Sequence, residues 1–182
     1  MPEPTVLFQG SRFRVERLIQ TTPDGVEHVK EVVKHPGAVT LLPLLDDGRI
    51  CLVQEYRVSV GQTLIELPAG TLEPGEDPAV AARRELAEET GYRAGRIEHL
   101  ATFYMSPGVL DERMVLYVAT ALEPGPMDLD AGEDIRPLLT TWPEALAMVA
   151  DGRIRDAKSM LGLLYYQAYG NEPALPRGEG RG

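Results

Sequence analysis

GTLEPGEDPAVAARRELAEETGY, residues 70–92, decides how the rest of this chain is read. Asp77-Pro78 is a helix start, an N-cap acid followed by proline at the first helical position, and Gly91 is the matching stop. The spacing predicts a helix over 78–90. On it Glu85, Glu88 and Glu89 stand at i, i+3 and i+4 and fall within an arc of about 100°. Ala79, Ala82, Leu86 and Thr90 point to a face roughly 100° away. The helix therefore has one wall for packing and an exposed wall of acids.

Residues 66–92 hold seven acids (Glu66, Glu73, Glu76, Asp77, Glu85, Glu88, Glu89) against two bases, Arg83 and Arg84, and so carry half of the net charge of −10. A solvated face is the usual fate of such a run. A helix C-terminus is the wrong end for it, because the macrodipole there is negative and three carboxylates in the last turns destabilise the helix. A divalent ion reverses that sign. Carboxylate oxygens without His or Cys suit Mg²⁺ or Mn²⁺ rather than zinc, and Mg²⁺ held by a few carboxylates completes its shell with water and substrate phosphates. The substrate class that follows carries a phosphate or pyrophosphate. Arg84, four residues before Glu88, can orient it by a charge-assisted hydrogen bond.

Upstream, Phe13, Val15, Leu18 and Ile19 lead to the turn Thr22-Pro23-Asp24-Gly25, after which alternation resumes through Val29 and Val33, the pattern of a hairpin. Val6-Leu7-Phe8-Gln9-Gly10 resembles a protease-recognition tag, but Thr5 and Ser11 do not continue one, and it is read as native. A second hairpin is expected from the apolar run 38–45, the turn Asp46-Asp47-Gly48 and the return 49–56. Being richer in apolar residues, it belongs in the core, and the first hairpin lies nearer an edge or a partner chain. Downstream, 101–104 and 114–121 read as strands around a Ser106-Pro107-Gly108 loop. Thr141-x-x-Glu144 opens a helix ending near Gly152, and Asp156 caps another that carries Met160, Leu161, Leu164 and Ala168. From Asn171 the chain is polar and rich in glycine and proline, a frayed tail.

The whole chain has 182 residues, 43% hydrophobic and 25% charged, which suits one domain with a real core. Twenty-eight acids against 18 bases repel phosphate backbones, so nucleic acid is excluded as a partner. No apolar stretch reaches a bilayer span, and Arg12, Arg14, Glu16 and Arg17 interrupt any secretory signal, so neither membrane nor export is expected. The single cysteine, Cys51, reads as an inert strand thiol, which suits a reducing cytoplasm.

Gly70, then Glu76, then Arg84-Glu85-Leu86-Ala87-Glu88-Glu89-Thr90-Gly91-Tyr92 resembles the signature box of the Nudix hydrolases, which cleave nucleoside diphosphates linked to another group. Seven fixed identities at about 6% usage each recur by chance roughly once in 10⁸–10⁹ trials. Tyr92 departs from the family, which more often has an aliphatic residue there. Beyond the box the likeness is to the ADP-ribose pyrophosphatase branch. Glu66-Leu67-Pro68-Ala69-Gly70 resembles that branch's approach to the box, and Pro107, fifteen residues after Tyr92, is similar to its marker proline.

The resemblance implies an α/β (α+β) fold: a Nudix-type α/β/α sandwich with a mixed sheet over 36–170, an N-terminal antiparallel β subdomain over 1–35 and a flexible tail over 171–182. It implies metal ligands at Ala69 (carbonyl), Glu85, Glu88 and Glu89, and substrate contacts at Arg57, Ser106, Pro107, Gly108 and Glu112. Without the resemblance, Arg57 is an exposed strand-end charge. The family takes its base from the box or from a C-terminal loop. Here Glu133 is favoured over Asp134 and Asp130, with Glu88 and Arg84 completing the catalytic set, although the same loop also reads as a solvated turn. The implied activity is Mg²⁺-dependent hydrolysis of ADP-ribose to AMP and ribose 5-phosphate, with Mn²⁺ able to substitute. The alternatives are another nucleotide sugar such as GDP-mannose, NADH, or an ADP-ribose sensor without catalysis, which would need a degraded box or an attached DNA-binding domain. The branch also implies a homodimer whose N-terminal strands pack on the partner and complete its substrate site.

Overall fold

A computed structural model describes residues 3–129 and 131–170. The tail expected over 171–182 and the rival acid Asp130 lie outside the described residues. The 78–90 helix forms as read: α1 spans Pro78–Thr90, Asp77 caps it by accepting the Ala79 N–H at 2.7 Å, and Gly91 ends it at φ +71° while donating to the Ala87 carbonyl. Only glycine suits that ending. Its φ is left-handed, and a Cβ there would stand 2.7 Å from the Gly125 carbonyl oxygen.

The strands form three sheets. β1 (Thr5–Gln9), β2 (Arg14–Thr21) and β3 (Glu27–Lys34) form an antiparallel sheet of their own, with the expected hairpin turn closed by Gly25 at φ +83°. The segment 6–10 that resembles a tag is largely strand β1, paired to β2. This sheet has almost no core. Every residue of β1 is exposed, and Val6, Leu7, Phe8, Phe13 and Val29 show large apolar side chains to solvent.

The body holds a mixed sheet in the order β7-β4-β9-β8 and an antiparallel sheet in the order β10-β5-β6. Their strands are β4 (Ala38–Pro43), β5 (Arg49–Arg57), β6 (Gln62–Glu66), β7 (Ala69–Thr71), β8 (Tyr92–Tyr104), β9 (Arg113–Pro124) and β10 (Ile135–Thr141). The second hairpin expected from sequence is only a tip. Leu44 bridges Ile50 and the Leu45 N–H meets the Arg49 carbonyl, but then β4 enters the mixed sheet and β5 the other. β4 already has a partner on each edge, β7 and β9, which leaves no edge for β5. The unbroken apolar runs of these strands reflect burial on both faces rather than a half-exposed hairpin.

Two clusters make the core. Val39, Leu41, Val115, Tyr117 and Ala119 face Ala81, Ala82 and Leu86 of α1. Leu42, Leu116 and Val118, on the opposite face, pack with Ile50, Leu52 and Leu67 and with the helices α2 (Trp142–Ala150) and α3 (Ala157–Tyr169). Both helices begin at the expected caps, Thr141 accepting the Glu144 N–H and Asp156 accepting the Ser159 N–H. Among the described residues no helix is long and apolar enough to cross a membrane. Cys51 is fully buried, and burial pushes its thiol up to about 12.

Candidate functional site

The acids of α1 do not form an exposed wall. Glu85 and Glu89 are only 9% and 4% exposed, and Glu88 alone of the three stays partly open. The start of β7 covers them. The Ala69 N–H donates to Glu89 Oε2 at 3.1 Å, and Gly70 lies so close to Glu85 that a Cβ would stand 1.8 Å from its carboxyl carbon. A side chain at position 70 would thus displace the Glu85 carboxylate from this place. The covering segment lies 15 to 20 residues before the acids, so helical periodicity alone could not reveal it.

Arg84 is the cation beside these acids. It forms a forked pair with Glu76, Nε to Oε1 and Nη2 to Oε2, both at 3.1 Å, and its Nη1 reaches Glu85 at 2.8 Å and Glu88 at 3.0 Å. Burial pushes the Glu85 carboxyl up to about 7; Arg84 opposes this and the charges of Glu88 and Glu133 reinforce it. Glu89 is raised well above its ordinary range, again chiefly by burial, with the Ala69 N–H opposing and Glu85, Glu55 and Glu133 adding to the rise. One shared guanidinium and one N–H do not balance two buried carboxylates. The donor set is hard oxygen, and an added divalent cation would correct its charge. Among the described residues no three His, Cys, Asp or Glu side chains are gathered as a ready cage. Arg84 occupies oxygens of Glu85 and Glu88 that a cation would use.

The other expected residues stand around this centre. Arg57, at the end of β5, is forked onto Glu66 at 2.9 and 2.8 Å and pairs with Glu55 at 2.7 Å, so it is anchored rather than a loose strand-end charge. Burial works against the Glu66 charge, but Arg57 and Lys158 outweigh it and hold that carboxyl below its ordinary range. Glu133, partly buried just before β10, lies close enough for its charge to act on Glu55, Glu85 and Glu89. Its rival Asp134 is exposed and pairs with Arg136.

Ser106, Pro107 and Gly108 sit on an exposed loop tied to β3 rather than to α1. Val33 donates to the Val109 carbonyl and accepts from the Asp111 N–H, Asp111 accepts the His35 N–H at 2.8 Å and pairs with Lys34, and Glu112 lies 3.9 Å from His35. Sequence reading missed a cleft of about 190 Å³ here, lined by Arg12, Phe13, Arg14, Lys34 and His35 among others and by none of the α1 acids. The basic pair flanking an aromatic, Arg12-Phe13-Arg14, was the available signal.

The NUDIX domain family matches residues 34–161. The chain belongs to the Nudix family. It is 40% identical over 163 residues to the methanol dehydrogenase activator of Bacillus methanolicus, covering 88% of each chain. It is 39% identical over 147 residues to the ADP-ribose pyrophosphatase of Bacillus subtilis (strain 168), covering 80% of each. A crystal structure described as an ADP compounds hydrolase shares the fold, with TM-score 0.78 and 24% identity over 93% of this chain and 95% of that one. This chain is a Nudix hydrolase, and hydrolases of this family generally depend on a divalent metal.

A pH dependence follows from the buried acids. The folded protein holds the Glu85 proton more tightly than the unfolded chain does, so that contribution to stability is full below the ordinary carboxylate range and is lost as pH rises through about 7. Without divalent cation, the melting temperature should therefore fall between pH 5 and 8. Glu85→Gln should flatten that fall and raise stability at pH 8 by about 2 kcal/mol, while abolishing most metal-dependent turnover. Calorimetry across pH checks the first outcome and a phosphate-bond cleavage assay the second.

Proposed function

We propose that this Nudix hydrolase cleaves the pyrophosphate of ADP-ribose to AMP and ribose 5-phosphate with Mg²⁺, Mn²⁺ being able to substitute. The observation that carries the reading is the pair of buried, under-compensated carboxylates, Glu85 and Glu89, closed over by Ala69 and Gly70. The similarity to an ADP-ribose pyrophosphatase over 80% of the chain supports the substrate. Glu85, Glu88, Glu89 and the Ala69 carbonyl would hold the metal, which when bound lowers the pKa of the attacking water and offsets phosphate charge.

The rest falls to the chain's own side chains. Arg84, braced by Glu76, orients Glu85 and Glu88. Arg57, braced by Glu66, meets a phosphate oxygen. Glu133 takes the proton of the water whose oxygen attacks phosphorus, as the bond from phosphorus to the leaving oxygen breaks. Ser106, Pro107, Gly108 and Glu112 contact the sugar or nucleoside.

We read residues 36–170 as the hydrolase domain and 1–35 as a subdomain that packs on a second copy. The exposed apolar side chains of β1, together with Phe13 and Val29, supply the motive, since a small sheet with almost no core is marginal in water. The buried thiol of Cys51 suits the cytoplasm.

Turnover of ADP-ribose, GDP-mannose and NADH with and without Mg²⁺, both products identified, tests the activity. ADP-ribose should give the highest kcat/KM, and Glu133→Gln should lower kcat by roughly 10²–10⁴ with metal affinity retained. A preference for GDP-mannose would overturn the substrate, and no cleavage of any of the three would favour a sensor. Light scattering at micromolar concentration should show a dimer. Deleting residues 1–34 should leave metal binding in place and greatly raise KM, and a monomeric full-length protein would refute the assembly.

A further inference from the structure

Helix α3 starts on the far side of the site from the Nudix box, yet its first turn reaches into it. Lys158 is only 6% exposed and Ser159 is fully buried, although lysine is among the residues least often buried. The Lys158 ammonium pairs with Glu66, itself 1% exposed, and with Asp156 Oδ2 at 3.0 Å. The Ser159 hydroxyl donates to Asp156 Oδ2 and accepts the Leu67 N–H at 2.7 Å. On its other side Glu66 takes the fork of Arg57, whose third nitrogen pairs with Glu55. The charges alternate along one line: Asp156, Lys158, Glu66, Arg57, Glu55.

Burying such a chain is a poor way to gain stability, because the cost of desolvation offsets much of the attraction. Its placement suggests another use. With Glu55 and Glu66 both on one guanidinium, Arg57 would present a net negative group to an incoming phosphate. Lys158 takes a share of Glu66 and brings that set of four to neutrality, while Asp156 pulls Lys158 the other way. The same helix turn, through Ser159 and Leu67, anchors the segment from which Ala69 and Gly70 cover the α1 acids.

We propose that Lys158 is a positioning residue for substrate. It acts through Glu66 to leave the charge of Arg57 available to a phosphate, and Asp156 tempers it. This rests on reading Arg57 as the phosphate contact.

The test is ADP binding to the full-length protein with Mg²⁺ by calorimetry, together with steady-state kinetics. Lys158→Gln should weaken ADP binding and raise KM by about tenfold, the scale of removing one nearby charge in a partly buried site, with kcat within a few-fold of wild type. Asp156→Asn keeps a good helix cap but frees Lys158 for Glu66, so it should tighten ADP binding about twofold, a direction that a purely structural role would not produce. Lys158→Gln that lowers the melting temperature while leaving ADP affinity and KM within twofold overturns the proposal. If Lys158→Gln does not fold, Asp156→Asn decides alone: tighter binding supports the proposal, and unchanged or weaker binding overturns it. Arg57→Ala separates the two readings. If it leaves ADP affinity unchanged, the assignment of Arg57 fails. If it weakens binding while the α3 variants do not follow the expected signs, only the role of Lys158 fails.

Discussion

The approach of the Gly70 backbone to the Glu85 carboxylate is the constraint on which the rest depends. Any side chain at position 70 would push that carboxyl group aside, so the place Glu85 occupies depends on glycine there. The contact closes the 66–71 segment over α1, which takes Glu85 and Glu89 out of water and leaves them short of positive charge. A surface cluster of the same three acids would be screened by solvent and bind a cation weakly. Burial instead leaves Glu85 and Glu89 short of positive charge.

Holding that segment is a shared task. β4 pairs with β7 on one side of it, and the Pro68 carbonyl accepts from both the Leu41 N–H and the Thr40 hydroxyl. Ser159 holds Leu67 from α3. The loop before β10 meets the end of α1 as well, with the Asp128 N–H donating to the Glu88 carbonyl and the Gly125 N–H to that of Gly91. The box is thus one wall of a centre whose other walls come from both sheets and from the last helix.

What sequence reveals here is what is local. Asp77, Thr141 and Asp156 announce their helices because a cap is satisfied within three residues, and Gly91 ends α1 by its own dihedral preference. The box acids and Arg84 are legible through fixed spacing on one helix. β6 and β10 escape notice because they are edge strands of mixed polarity, and β10 carries Pro137. The burial of Glu85 and Glu89 escapes because it depends on a segment brought back from earlier in the chain. Lys158 and Glu66 stand 92 positions apart, and nothing in the spacing of either predicts their meeting.

The divergence of β4 and β5 at Leu44 and Ile50 also governs how the chain reaches this structure. Once the two strands part, their main partners lie far along the sequence, Ala38 against Met114 in one sheet and Glu55 against Ile135 in the other. Each of these pairings must close a long loop before its contacts reward it, which the pairings of neighbouring strands, β8 with β9 and β5 with β6, need not do. α1 is capped from its own neighbourhood, but its acids are covered by a segment that the pairing of β7 with β4 holds. The cover over Glu85 and Glu89 is therefore held by a scaffold of sequence-distant strands, β7 on β4 and β4 on β9.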